Sequence, residues 1–486
     1  MKYILLFLIP ALCALPGKSQ PLDYSCGPKI DNYSNIYFTL FQQDSSNLYA
    51  FNYNRSAYFL DIFLKSDLSQ TAHIPIPLPS KDSIKFDFEN LFVLKDRFLV
   101  FYSYFNKSDQ AIKLEMLAFD AAGKRMGTIK QLDELPGKNE KRAGTFIITN
   151  RPLENKFLSY GYKRNKGYYY LNLDHFDYEG NKLESQDFVI DNSRFLEESF
   201  NSGETICRLE RDRFNEKTAS WFLSFYSSSS SKVQSIDINP AAGSKINIAG
   251  KFGSYMENGV LYLLSPYTTG MFAQKARGVY LVTADLKEQR VLNRAVIPFK
   301  EEISEGVDSE DFSLASCIIT DIIPIKTGLR VLFESRLMTS AYGVPTGYNL
   351  GNIVALDIDS NFMLKDINRI YKKQVARPAS VRYMGFIPLS HNDATFCIYN
   401  ELPQNLGRAD DKIKNVKSAS TDATVVISAA LGSAGGQKDI LIEKAGKNEI
   451  TAILPRTGLK DAFRKGCIYA LVQKGGDVVL TKIFAP

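Results

Sequence analysis

The side chains in this 486-residue chain that could do chemistry are few: three histidines, six cysteines and one dense run of acids. The run is Glu301, Glu302, Glu305, Asp308, Glu310 and Asp311. Carboxylates gathered in this way can share acid and base roles or hold a cation, and they also read as an ordinary solvated loop. His73, His175 and His391 stand far apart, and none has a second ligand three or four residues away. Each reads as a structural histidine, not as part of a metal site.

The sequence Asp357-Ile358-Asp359-Ser360-Asn361 starts like a calcium loop, with oxygens at alternate positions. Phe362 then occupies the place that loop reserves for glycine, and Asn368 the place it reserves for a bidentate glutamate. A hairpin turn accounts for the pattern better. There is no G-x-S-x-G elbow, no phosphate-binding Walker loop and no H-E-x-x-H pair. The sequence therefore implies no cofactor and no metal, and gives no support to nucleophilic or zinc hydrolysis. The single tryptophan, Trp221, and the run Tyr168-Tyr169-Tyr170 sit in strand-like stretches. Strand alternation sends Tyr169 to the face opposite its two neighbours, which suits packing more than a platform for a sugar ring.

The N-terminus sets the compartment. Lys2 precedes an apolar run from Ile4 to Leu15, followed by Pro16-Gly17-Lys18-Ser19, which reads as a secretory signal peptide cut after Ser19. The run is too short to span a bilayer, and Leu12 before Cys13 does not suit lipid attachment. The expected product, residues 20–486, carries 57 basic against 53 acidic residues, an excess of four. So small a balance gives no support to nucleic-acid binding. Five cysteines remain, Cys26, Cys207, Cys317, Cys397 and Cys467, spaced too widely for a zinc knuckle or a C-x-x-C pair.

Between these residues the chain repeats itself. Arg97 to Ile129 and Lys156 to Ile190 each read as strand, polar turn, strand, tight turn, strand, with a further apolar strand ahead of each. The tight turn is the marker: Asp120-Ala-Ala-Gly123 and Asp177-Tyr-Glu-Gly180 pair an aspartate that can bond back to the backbone with a glycine that accepts positive φ. Weaker forms begin at Asp67, Asp237, Asp285, Asp357 and Glu443, which makes seven markers about 63 residues apart on average. Four strands per unit and seven units predict an all-β chain: a single β-propeller of seven four-stranded antiparallel blades, with six or eight as alternatives.

Strands at Cys467 to Gln473 and Asp477 to Phe484, joined by Gly475-Gly476, need partners from the other terminus, and Ile36 to Phe41 is the expected closing strand. Closure would bring Cys26 and Cys467 into one neighbourhood and allow a disulfide between them.

The leader ending in Ser19-Gln20-Pro21, the irregular D-x-x-G blades and the segment from Phe396 to Leu406 resemble uncharacterised secreted propellers of the Bacteroidota. The resemblance is one of architecture along the whole chain and transfers no catalytic residue. The export signal, the near-neutral charge, the divergent loops and the missing catalytic signatures point to an exported, periplasmic or extracellular, non-catalytic binding or scaffold propeller. Such a protein would be a monomer of the cell envelope with a protein or glycan partner, no nucleic acid and no transmembrane segment. The alternative is a carbohydrate-active enzyme with loop carboxylates at the mouth of the central channel.

Overall fold

The computed structural model describes residues 22–485 apart from those at 32, 34–36, 55–56, 79–85, 138–143, 152–153, 166–167, 192–193, 203–204, 213–219, 228–229, 242–243, 249, 270–275, 300–316, 342–343, 409–411, 417–423, 432–437 and 444–450. The predicted leader and the acidic residues Glu301, Glu302, Glu305, Asp308, Glu310 and Asp311 lie outside the described residues.

The strands pair into eight antiparallel sheets. Seven are built from consecutive strands: blade 1 over residues 37–76, blade 2 over 86–136, blade 3 over 145–191, blade 4 over 194–237, blade 5 over 246–298, blade 6 over 317–376 and blade 7 over 387–442. Blade 8 takes its first three strand positions from residues 451–484 and its fourth from Asp23–Lys29, which pairs with Asp477–Phe484 in the register Asp23↔Phe484 to Lys29↔Val479.

Eight hydrophobic clusters lie one at each junction between neighbouring blades, including blade 8 against blade 1 through Leu480, Leu471, Leu48 and Phe63. The ring is therefore closed, and the chain is an eight-bladed β-propeller.

The residues explain why the blades stack. A blade has two apolar faces and can bury them only against its neighbours, so the second and third strands carry apolar residues at nearly every position. Arg97–Asn106, FLVFYSY at its centre, is buried on both faces. Outermost strands lose that cover: Ser230–Asp237, SSKVQSID, is almost wholly exposed, and its lysine and serines suit a free sheet edge. Aromatic rings bridge the junctions, as Phe51 of blade 1 stacked on Phe88 of blade 2 at 4.1 Å.

Seven markers mislead by one blade for a definite reason. The turns at Asp120 and Asp177 do join third to fourth strands: the Asp120 Oδ1 accepts from the N–H groups of Ala122 and Lys124, and Gly123 takes φ +84°. Asp67 and Asp285 mark the same turn in blades 1 and 5. In blade 6 the turn belongs to Asp359, which accepts from the N–H of Met363 at 2.8 Å while Phe362 adopts φ +59°. Asp357 instead holds Arg330 at 2.6 Å, which disposes of the calcium-loop resemblance. Asp237 ends the fourth strand of blade 4, and Glu443 follows that of blade 7, so each still counts one blade. Blade 8 has no such turn, because its third and fourth strands come from opposite ends of the chain.

Two expectations are corrected at the closure. The closing strand is Asp23–Lys29, whereas Tyr37–Gln43 is the innermost strand of blade 1. Cys26 and Cys467 do share blade 8, but as free thiols on opposite faces. Cys26 lies opposite Thr481 and packs toward blade 7; Cys467 lies two strands away, opposite Phe484, and packs toward blade 1. Two strand spacings, about 9.6 Å, exceed what a disulfide can bridge.

Candidate functional site

In a propeller the first strand of each blade lines the central channel. The turns from first to second strand ring one mouth, and the connections between blades ring the other. At the first of these mouths blades 5 to 8 enclose a cavity of about 840 Å³. Its walls are the end of the first strand of blade 6 with Ile323, Pro324 and Ile325, and the end of that of blade 7 with Pro388 and Leu389. Tyr255 of blade 5 and His391 of blade 7 bring the two rings of the lining.

Blade 8 supplies the rim through the segment 460–467. Asp461 accepts from the N–H of Phe463 at 2.9 Å, from Lys65 of blade 1 at 3.0 Å and from the Tyr469 hydroxyl at 2.9 Å. Burial alone would raise the Asp461 carboxyl, but these three donors hold it below the ordinary carboxylate value. Lys65 also donates to Gln43 at 2.8 Å and lies 4.6 Å from the Phe463 ring centre. At the far end of the segment the Gly466 carbonyl accepts from the N–H of Ala485 at 2.8 Å. Gly466 has φ +71°, and a Cβ there would fall 2.4 Å from the His391 Nδ1, so glycine is needed for both the bend and the close approach.

This anchored segment carries Lys460, Arg464 and Lys465 to the rim. Lys460 crosses to Asp321 of blade 6 at 2.7 Å. Blades 8 and 6 are not neighbours, so the contact lies close to the axis. Asp321 also accepts from the N–H of Ile322 at 2.9 Å. Asp393 sits in the turn of blade 7, where Asn392 and Asp393 both take positive φ, as a tight hairpin turn requires. Its Oδ1 accepts from the N–H of Lys326 at 2.8 Å. Arg464 lies with its guanidinium carbon 4.9 Å from the Phe484 ring centre.

Each carboxylate of the lining is thus engaged by a backbone N–H, and two also by a lysine.

The opposite mouth has a smaller cavity of about 260 Å³, beside Glu334, Arg336 and Gly385. Under it runs a buried polar chain. The Lys372 ammonium lies 2.5 Å from Glu334 and 3.1 Å from Gln374, and the Gln374 amide donates to the Asn400 carbonyl at 3.0 Å. This chain ties the end of blade 6 to blade 7 and is structural.

The predicted site residues are scattered. His73 pairs with Asp61 at 2.5 Å and stacks on Phe59, His175 is buried in blade 3, and His391 alone reaches the cavity. Trp221 is 3% exposed and packs edge-on against Phe252 between blades 4 and 5, so it is no sugar platform. Among the described residues no three His, Cys, Asp or Glu side chains come together as a metal site, and no helix is long and apolar enough to cross a membrane. Sequence reasoning missed the cationic rim. Its one local signal is Lys460-Asp-Ala-Phe-Arg464-Lys465, a basic group just ahead of an apolar strand.

No protein-family model matches the chain, and no curated protein matches its sequence. Among solved structures the chain is similar to the WD40 domain of SCAP from fission yeast, at 8% identity over 96% of this chain and 94% of that one, with a TM-score of 0.44. It is similar to the Dos1 propeller at 12% identity over 93% and 96%, with a TM-score of 0.39. It is also similar to the polysaccharide lyase Uly1, at 9% identity over 82% and 89%, with a TM-score of 0.36. The class of this protein, a closed eight-bladed propeller, follows from its own sheets.

Proposed function

We propose that the chain is exported and works as a non-catalytic binding propeller of the bacterial envelope, holding a protein partner at the mouth ringed by the first-to-second-strand turns. Export is supported by Lys2, the apolar run Ile4 to Leu15 and the small residues Gly17 and Ser19. The observation that carries the binding reading is the lining of the 840 Å³ cavity. Aliphatic walls and a cationic rim suit a polypeptide better than a sugar, which favours aromatic faces. In the same lining Asp321 is paired with Lys460 and Asp461 with Lys65, which favours a binding role over glycoside cleavage.

The test is to pass envelope extract over tagged protein of residues 20–486, beside a glycan panel. One reproducible protein partner and silence on the panel are expected. Glycan binding without a protein partner would overturn the reading.

A further inference from the structure

We infer that the cavity at this mouth selects an acidic peptide segment with aliphatic neighbours. The inference rests on the binding reading above and names what that site takes. Five cations stand in or against the lining, Lys65, Lys326, Lys460, Arg464 and Lys465, against three carboxylates, Asp321, Asp393 and Asp461. Two pairs neutralise themselves, Lys460 with Asp321 and Lys65 with Asp461. Three cations then face one carboxylate, Asp393, whose Oδ1 already accepts from the N–H of Lys326. The cavity lining, with Lys65 against it, carries an excess of two positive charges.

The cations are also placed. Arg464 and Lys465 stand on a segment bonded at both ends, and the Phe484 ring beside Arg464 restrains a guanidinium whose fork matches a carboxylate. Preorganised donors lose little freedom when they bind, which is the usual advantage of a rigid site. Beneath them Pro324, Ile325 and Pro388 give an apolar wall that an aliphatic side chain next to the acid can cover. A nucleic acid would ask for several stacking rings along a basic stripe, and the lining holds only the phenol ring of Tyr255 and the imidazole of His391.

The experiment is fluorescence anisotropy with three fluorescein-labelled nonapeptides, one of Glu and Leu residues and its Gln and Lys counterparts. They are titrated with residues 20–486 as parent, Arg464→Glu/Lys465→Glu and Ser390→Trp, the last to fill the cavity. Circular dichroism confirms that each variant folds; Arg464 and Lys465 are exposed, so their reversal leaves the core intact.

The expected result is that the Glu peptide binds, that its affinity falls as salt rises, and that it drops roughly tenfold or more in the charge-reversed protein. Binding of the Glu peptide should also be lost in Ser390→Trp. Equal binding of the Glu and Gln peptides, both lost in Ser390→Trp, would overturn the acidic selectivity and leave the binding mouth standing. Binding that survives Ser390→Trp would overturn both. Binding of no peptide, or of the Lys peptide alone, would overturn the inference.

Discussion

Replacing Lys372 by methionine should be among the most damaging single changes in the ring. Its ammonium is wholly buried and lies 2.5 Å from Glu334, itself 4% exposed, and 3.1 Å from Gln374. Methionine keeps the volume but leaves the Glu334 carboxylate buried without its cation, which costs about 3–5 kcal/mol. Unfolding entropy of about 2.1 cal/mol/K per residue over roughly 460 residues is ~1 kcal/mol/K, so the midpoint should fall by about 3–5 °C.

The double variant Lys372→Met/Glu334→Leu removes both charges, and Gln374 still accepts from the N–H of Gly385 at 3.0 Å. It should return to within about 1 kcal/mol of the parent. The assay is a double-mutant cycle in urea, with thermal melts beside it. If Lys372→Met is as stable as the parent, or if the double variant is as weak as the single one, the paired charges do not work as argued.

Three further outcomes follow from named residues. Burial and the neighbouring Asp174 carboxylate push Asp133 up to about 6, above its ordinary 3.8. A raised carboxyl stabilises the fold while protonated, so this contribution is present below pH 4 and about 3 kcal/mol is lost as pH rises through 6. Asp133→Asn should therefore be more stable than the parent at pH 7 and equal to it at pH 4 in denaturant titrations, and a gap independent of pH would refute this. Gly466→Ala should cost about 1–2 kcal/mol for its left-handed backbone and more for the collision with His391, so the added substitution His391→Ala should recover only the second part. Denatured, unreduced protein should take iodoacetamide at both Cys26 and Cys467, and a peptide linking the two in the digest would contradict the placement of the thiols on opposite faces.

How far the sequence could be read depended on how local each signal was. The Asp120 and Asp177 turns were legible because an aspartate, a glycine and their hydrogen bonds all fall within five residues. Four-stranded blades followed from that spacing and from apolar runs buried on both faces. Blade 8 left no turn to count, because its outer strand is Asp23–Lys29, and that strand's half-exposed sequence DYSCGPK has little apolar pattern. Asp357 and Asp359 were indistinguishable as turn formers until Arg330 claimed the first of them. The candidate site was the least legible. Lys326, Asp393 and Arg464 come from three blades and meet only because the ring closes, whereas the acidic run at 301–311 drew attention by density alone.

Photo-crosslinking tests the account most directly. A benzoylphenylalanine is placed at Lys465 on the rim or at Leu183, an exposed position on the outer edge of blade 3, in tagged protein irradiated with envelope extract. The account predicts one discrete protein adduct from position 465, reduced when the Glu and Leu nonapeptide is in excess, and none from position 183. Adducts from 183 without any from 465 would contradict it.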